Sequence, residues 1–356
     1  MSNPIERLMR RIPEKVDGAL IHSPVSRRYL TGFKSSAGFL LVLPDECIFL
    51  TDFRYYESAK RVVKNARVEL YTKAGESFAA LQKRYNLNYL LVEHEHMELG
   101  ALERMQTAFS GVKLIYDTKL DELISEIRRV KTPKELQKIM AAQALTEQAY
   151  YYIMEKMRVG VTERTLALEI EYYMRREGAE AVAFDPIVVS GANSALPHGV
   201  PSEKAVERGD FVTMDTGAML DGWHSDMTRT VAVGEPSEEQ RLVYETVFRA
   251  QQSALQTARA GISCAQVDEA ARHVIRDAGF GDAFGHSTGH GVGMEVHEAP
   301  SVAPDNEEIL QSGMVITIEP GIYLSGKFGV RIEDMISITE KSHKNLTKCP
   351  KELIII

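Results

Sequence analysis

Four acidic residues at the ends of strand-like runs set the chemistry open to this chain. Asp215 closes the run Phe211, Val212, Thr213, Met214, and Glu319 closes Val315, Ile316, Thr317, Ile318. Asp226 and Glu333 each follow about one strand later. Side chains alternate along a strand, so Thr213 shares a face with Asp215, Thr317 with Glu319, and Arg331 with Glu333. Folded together, four ionised carboxylates would repel one another strongly even at an effective dielectric of ~20. Two divalent cations cancel that charge formally, and an oxygen-rich set with one imidazole suits octahedral Mn²⁺, Co²⁺ or Fe²⁺ better than a sulfur-rich zinc site. The imidazole is expected from residues 285–293. His286 and His290 have the i, i+4 spacing of a helical pair, but glycines at 285, 289, 291 and 293 point to a loop or strand that brings backbone and imidazole close to a ligand. Glu319 stands out further, because a charge that ends a buried run, just before Pro320 and Gly321, needs a partner. His198, between Pro197 and Gly199, and His297, before Glu298, lie in the same stretch of chain. Five of the ten histidines, these four and His224, fall within 100 residues of the paired acids, which favours one shared site. His224 is given no role.

Helical patterns run through residues 133–158, 163–177, 238–259 and 265–278. Thr132 with Glu135, and Ser237 with Gln240, have the spacing of capping boxes, and Pro133 suits a first helical position. Gly160 and Gly261, Thr162 and Ser263, and Gly178 and Gly279 each lie 101 residues apart, so the region from 133 onward is expected to hold two related halves about a pseudo-twofold axis. Before it, strand-like runs at 19–22, 39–43, 47–50, 67–71, 89–93 and 112–116 alternate with helical patterns at 55–63, 77–85 and 99–109, which predicts an α/β unit with a mixed or parallel sheet. The highly charged stretch 121–131 places the domain boundary near 120–132.

Length and composition narrow the function classes. At 356 residues the chain suits two domains rather than a hormone, a disulfide scaffold or a lone binding module. The 42 basic and 50 acidic residues leave a formal charge of −8 with no basic run, so nucleic acid is not an expected partner. Hydrophobic residues at 44% and charged residues at 26% describe an ordinary globular chain. Cys47, Cys264 and Cys349 are odd in number and lack CxxC spacing, which argues against a disulfide framework and for a reducing compartment. No run approaches the ~18 apolar residues of a membrane span, and the charged N-terminus lacks an apolar leader core, so the protein is expected to be cytoplasmic and free of membrane.

Five motifs in order carry a resemblance: Met214-Asp215-Thr216-Gly217, Ser225-Asp226-Met227-Thr228-Arg229-Thr230, the glycine and histidine segment 285–293, Ile318-Glu319-Pro320-Gly321 with Tyr323, and Val330-Arg331-Ile332-Glu333-Asp334. Their order and spacing resemble the pita-bread metallopeptidases of the creatinase, aminopeptidase P and prolidase superfamily. Prolidases and short Xaa-Pro aminopeptidases are the nearest in kind. The resemblance implies an α/β creatinase-like N-terminal domain over 1–125, followed by an α+β pita-bread catalytic domain over 126–356. It implies Asp215, Asp226, His290, Glu319 and Glu333 as ligands of two divalent metal ions, Mn²⁺ or Co²⁺ foremost, with Fe²⁺ or Zn²⁺ as alternatives. His198, His286 and His297 match histidines that hold substrate and the tetrahedral intermediate, and Tyr323 and Arg331 match positions behind the ligands. The implied reaction is hydrolysis of the Xaa-Pro bond of dipeptides or short peptides through a metal-bridging hydroxide, with Glu319 shuttling the proton. A homodimer is also implied. The alternatives are an aminopeptidase for longer Xaa-Pro substrates, methionine-aminopeptidase-like specificity, a metal-free creatinase-like hydrolase and a non-catalytic binding module; the last two would be expected to have lost ligand positions that are intact here.

Overall fold

Hydroxyl residues open the long helices. The computed structural model describes residues 3–356. In it Thr132 Oγ1 accepts from the Glu135 N–H while Glu135 Oε2 accepts from the Thr132 N–H at 2.6 Å, and this box starts the helix Pro133–Met154. Ser237 with Gln240 starts Glu238–Thr257 in the same way. Ser263 with Gln266, a third box that the sequence reading passed over, starts Cys264–Asp277. Each box satisfies two donors that a first turn leaves orphaned. Thr162 caps Glu163–Arg176 through its side chain. The 101-residue repeat extends to backbone conformation, since Gly160 and Gly261 have φ of 88° and 86°, a left-handed turn that glycine adopts without strain.

Each half builds its own sheet and core. The first has the strand order Met227–Ala232, Phe211–Thr216, Ile187–Ser190, all antiparallel. The second has five strands in the order Glu298–Val302, Gly289–Gly291, Val315–Ile318, Asp334–Ile338, His343–Asn345. Leu145, Ile153, Leu166, Ile170 and Met174 from the first helix pair pack on Val188, Val212 and Met214. Val243, Val247, Val267 and Ile275 from the second pair pack on Ile316, Ile318 and Ile336. The hairpin Gly321–Leu324 and Phe328–Arg331 leads into the join between halves, where Glu333 N–H donates to Thr228 C=O at 3.1 Å and Thr230 Oγ1 to Arg331 C=O at 3.0 Å.

The chain divides into two compact units, one ending at Arg128 and the other spanning Arg129–Ile356. The first unit carries a six-stranded mixed sheet in the order Arg67–Leu70, Cys47–Thr51, Phe39–Val42, Gly18–Ile21, Tyr89–Val92, Lys113–Ile115. The charged stretch taken as a boundary is largely the helix Lys119–Arg129, which buries Leu120, Leu123, Ile124 and Ile127. Apolar residues at helical spacing outweigh the charges between them. Among the described residues no helix is long and apolar enough to cross a membrane.

All three cysteines are free and buried. Burial pushes Cys264 up to about 12 and Cys349 up to about 11, and Cys47 further still. Since the thiolate is the nucleophile, a disulfide exchange reagent such as DTNB should titrate none of these thiols rapidly in the native protein and all of them in denaturant. A fast native thiol would contradict this burial.

Candidate metal centre

Strand register brings the paired acids together. Asp215 lies in Phe211–Thr216 opposite Thr228, and Asp226 immediately precedes the strand that carries Thr228. Thr228 Oγ1 donates to Glu333 Oε2 at 2.7 Å, so the first half's strand orients an acid of the second. Glu319 follows Val315–Ile318, with its N–H on Thr288 C=O at 2.8 Å and Thr317 Oγ1 donating to Oε1 at 3.1 Å. Thr317 Oγ1 also accepts from the His290 N–H at 3.0 Å. His290 sits in the short strand Gly289–Gly291, wedged between two others. A Cβ at Gly289 would lie 2.1 Å from Thr317 C=O and one at Gly291 2.3 Å from Ala299 C=O, so the glycines permit the close backbone approach.

Asp226, His290 and Glu333 each offer a ligand atom within 4.8 Å of the others. His290 Nε2 is 3.2 Å from Glu319 Oε1 and 3.6 Å from Asp226 Oδ2. Asp215 stands outside that tightest group, with Oδ2 accepting from Arg331 Nη2 at 2.5 Å. A cavity of about 570 Å³ is lined by Asp215, Asp226, His290 and Glu319, and by His198, His286, His297, Tyr323 and Arg331. Glu333, 1% exposed, sits behind its wall.

The electrostatics of this group call for a cation. Burial, then repulsion from Glu333, Asp215 and Glu319, pushes the Asp226 carboxyl well above the usual range. Burial and then Glu319 and Asp215 do the same to Glu333. Burial acts on Glu319 too, but the hydrogen bond and charge of His290 outweigh it and hold that carboxylate low. Asp215 Oδ1, Asp226 Oδ1 and Glu333 Oε1 are buried with no hydrogen-bond partner among the described residues. His290 Nδ1 donates to Gly291 C=O at 3.1 Å, which turns Nε2 toward Glu319 and Asp226, where it shares with Glu319 a proton that a bound divalent ion would replace. Orphaned carboxylate oxygens beside an imidazole nitrogen aimed among them fit hard divalent ions.

Comparison with known proteins decides the family. Residues 137–340 match metallopeptidase family M24, and residues 5–130 match the creatinase/prolidase N-terminal domain. The chain belongs to metallopeptidase family M24. It is 39% identical to the Xaa-Pro dipeptidase of Pyrococcus furiosus, over 99% of this chain and 100% of that one. Its structure is similar to an Xaa-Pro dipeptidase from Bacillus anthracis, with a TM-score of 0.95, 38% identity and 99% of each chain covered. An X-Pro aminopeptidase from Thermotoga maritima matches with a TM-score of 0.93 and 37% identity, over 98% of this chain and 100% of that one. This M24 chain is accordingly an enzyme with a creatinase-type N-terminal domain and a pita-bread catalytic domain, of a family that uses divalent metal ions.

Around the M24 centre the remaining predicted residues fall into two groups. His286 Nδ1 faces Ser287 C=O at 2.8 Å and so holds the proton, and Nε2 accepts from the Tyr323 hydroxyl at 2.9 Å. Burial lowers the pKa of His286, in keeping with a neutral ring. Arg331 donates to Tyr323 Oη at 2.8 Å, Thr228 Oγ1 at 3.1 Å, Pro197 C=O at 3.4 Å and Asp215, so its fork is committed to holding neighbours. His198 and His297, in contrast, are exposed on the cavity wall and make no hydrogen bond among the described residues, although the His297 ring meets His290 edge-on at 4.3 Å. The sequence reading assigned no role to Thr228, Arg229 or Asp334, although all stand within its quoted motifs. It also passed over Asp185, an exposed carboxylate on the same cavity wall. The alternation that pairs Thr317 with Glu319 also places Thr228 two residues from Asp226, and this was the available signal.

Proposed function

We propose that this M24 enzyme is a dinuclear exopeptidase that hydrolyses the Xaa-Pro bond of dipeptides or short peptides. The observation that carries the reading is the meeting of orphaned carboxylate oxygens and His290 Nε2 beside a histidine-walled cavity. Its volume lies within the span of small-molecule sites. In this reading residues 1–125 form the creatinase-like domain and 126–356 the catalytic domain. Asp215, Asp226, His290, Glu319 and Glu333 hold two ions, Mn²⁺ or Co²⁺; the enzyme is a homodimer, as its resemblance implies, and cytoplasmic, as its composition suggests. Bound there, such ions supply an acidified water and polarise the scissile carbonyl.

The chain's own groups do the rest. His198 and His297, unengaged on the wall, donate to the developing oxyanion. Glu319 carries the proton from the attacking water to the leaving prolyl amide nitrogen. Tyr323 and Arg331 hold His286 and Asp215 in place. An Xaa-Pro bond offers no amide N–H, so selection falls to apolar surface shaped for the ring; Phe184, Ile187, Val200 and Pro201 line the cavity. Asp185 is the wall carboxylate with no partner among the described residues and would meet the substrate ammonium. Asp185→Asn is expected to raise KM for Ala-Pro about tenfold with kcat little changed, the size of one charge-assisted hydrogen bond. Initial-rate kinetics with Ala-Pro and its des-amino analogue check it, since the analogue should be indifferent to the substitution.

One observation supports the longer-substrate alternative. Arg331 is the permanent cation among the lining residues, and its donors are already committed, which leaves the free carboxylate of a dipeptide without a ready Arg or Lys. Reconstituting metal-free enzyme with Mn²⁺, Co²⁺ and Zn²⁺ in turn, and assaying Ala-Pro against Ala-Pro-Ala-Ala, tests both readings. Restored turnover of Ala-Pro is expected, and a clear preference for the tetrapeptide moves the assignment to an aminopeptidase. Failure to bind or respond to any of the ions would favour a metal-free hydrolase or a binding module instead.

A further inference from the structure

The histidine segment is a weak piece of backbone by itself. Residues 285–288 have no regular hydrogen-bonded structure; the segment begins at Gly285 and runs into Gly289. Glycine gives such a segment broad conformational freedom, yet His286 and His290 must hold their places to within fractions of an ångström. Something outside the cavity has to supply that rigidity.

We propose that Asp268 and Arg272, one turn apart on the helix Cys264–Asp277, are positioning residues that clamp this segment against the metal-binding wall. The proposal rests on the site reading above. Asp268 is 0% exposed. Its Oδ1 accepts from the Thr288 N–H at 3.1 Å and the Thr288 hydroxyl at 2.8 Å. Arg272 grips the same carboxylate with both arms of its fork, Nε to Oδ2 at 2.7 Å and Nη2 to Oδ1 at 2.8 Å. The guanidinium then donates onward to Phe284 C=O at 3.1 Å and His286 C=O at 2.9 Å, and lies 4.3 Å from the Phe284 ring centre. The pair therefore pins the backbone at 284, 286 and 288. Neither residue lines the cavity.

From those pins two hydrogen-bonded routes reach the candidate ligands. Thr288 C=O accepts from the Glu319 N–H at 2.8 Å. His286 joins Tyr323, Tyr323 joins Arg331, and Arg331 joins Asp215. A buried ion pair serving only stability is no better than apolar packing of equal volume; this pair spends its remaining donors and acceptors on the segment's backbone. The first half has a counterpart. Glu163, 0% exposed at the start of Glu163–Arg176, accepts from Ser190, Asn193 and Ser202 on both sides of His198. In each half, the second helix of the pair holds the histidine loop that follows it.

The test compares Arg272→Met, Asp268→Asn and the conservative Arg272→Lys with Ile275→Ala, which opens a cavity in the core face of the same helix. Hydrogen exchange at 284–290 in metal-free protein is one readout; kcat and KM for Ala-Pro are the other. Arg272→Met and Asp268→Asn should speed exchange there and lower kcat at least about tenfold with KM within about threefold, as loss of an outer support does at metal sites. Arg272→Lys should fall between them and wild type. Ile275→Ala should lower the melting temperature as much and leave both readouts near wild type. Loss of kcat in step with melting temperature across all four, Ile275→Ala included, or unchanged exchange and kcat in Arg272→Met, would overturn the clamp. If Arg272→Met does not fold, Arg272→Lys and Asp268→Asn carry the comparison. Wild-type protein that turns over no Xaa-Pro peptide would defeat the functional reading, while exchange at 284–290 still decides the clamp.

Discussion

Asp226→Asn should lose bound metal and turnover together, and melt higher than wild type once both are stripped of metal. The carboxylate is 4% exposed and lies within 4.8 Å of ligand atoms on His290 and Glu333. An amide keeps the shape but offers a neutral oxygen, so the charge that balances a divalent ion falls and kcat/KM should drop about 10³-fold or more, ~4 kcal/mol of transition-state stabilisation. Without metal the sign reverses. Asp226 is buried among Glu333, Asp215 and Glu319, which repel its charge, so removing that charge relieves the apo protein. Elemental analysis after dialysis and a melting curve with and without chelator measure the two halves of the result. Full metal content in Asp226→Asn, or an apo form that melts well below wild-type apo protein, would remove Asp226 from the centre.

Arg229→Met is expected to be the most destabilising single change near the site. Arg229 is 1% exposed and uses all five donors: on Asp334 Oδ1 at 2.8 Å, and on the carbonyls of Thr228 and Pro350 at 2.9 Å, Glu333 at 2.5 Å and Cys349 at 2.9 Å. It thereby ties the first half's strand, the Glu333 backbone and the C-terminal segment. Asp334 is 0% exposed; burial pushes its carboxyl up, and Arg229 and Lys351 more than reverse that. Methionine would take one donor from each of four carbonyls and leave Asp334 Oδ1 without its Arg229 partner, while Lys351 and Asn345 still hold Oδ2. Removing one partner of a buried pair costs about 3–5 kcal/mol, a fall of roughly 10 °C in melting temperature for a unit of this size. Arg229→Lys, with three donors and no planar fork, should recover part of the loss. A melting temperature within about 2 °C of wild type for Arg229→Met would show that the network contributes little.

How far the sequence could be read depended on the range of the forces involved. Thr132, Ser237 and Ser263 could be recognised as helix starts because a cap closes within three residues. The long helices were legible except at their ends: the pattern over 133–158 outran Met154 because Met157, its N–H still on Ile153 C=O at 3.0 Å, continues into the core through a turn beyond the helix. The helices Pro4–Met9 and Pro24–Thr31 are too short for periodicity to register, although Asn3 and Ser23 before proline were caps in plain view. The stretch 121–131 hid a helix because its charges are conspicuous and its buried leucines and isoleucines are spaced three and four apart between them.

At the site, residue types and order were enough to group Asp215, Asp226, Glu319 and Glu333 with an imidazole from 285–293 as candidates for cations, and the family resemblance implied His290 as that imidazole. Separations of a few ångströms are another matter. That Asp226, His290 and Glu333 draw closest, that Arg331 takes one oxygen of Asp215, and that Glu333 lies behind the wall follow from register between strands far apart in the chain. The hydroxyl of Thr228 and the fork of Arg272 act on residues that only the fold brings within reach. Local pattern chose the elements and the chemistry; cross-strand register and buried hydrogen bonds, which have no signature in nearest neighbours, chose the geometry.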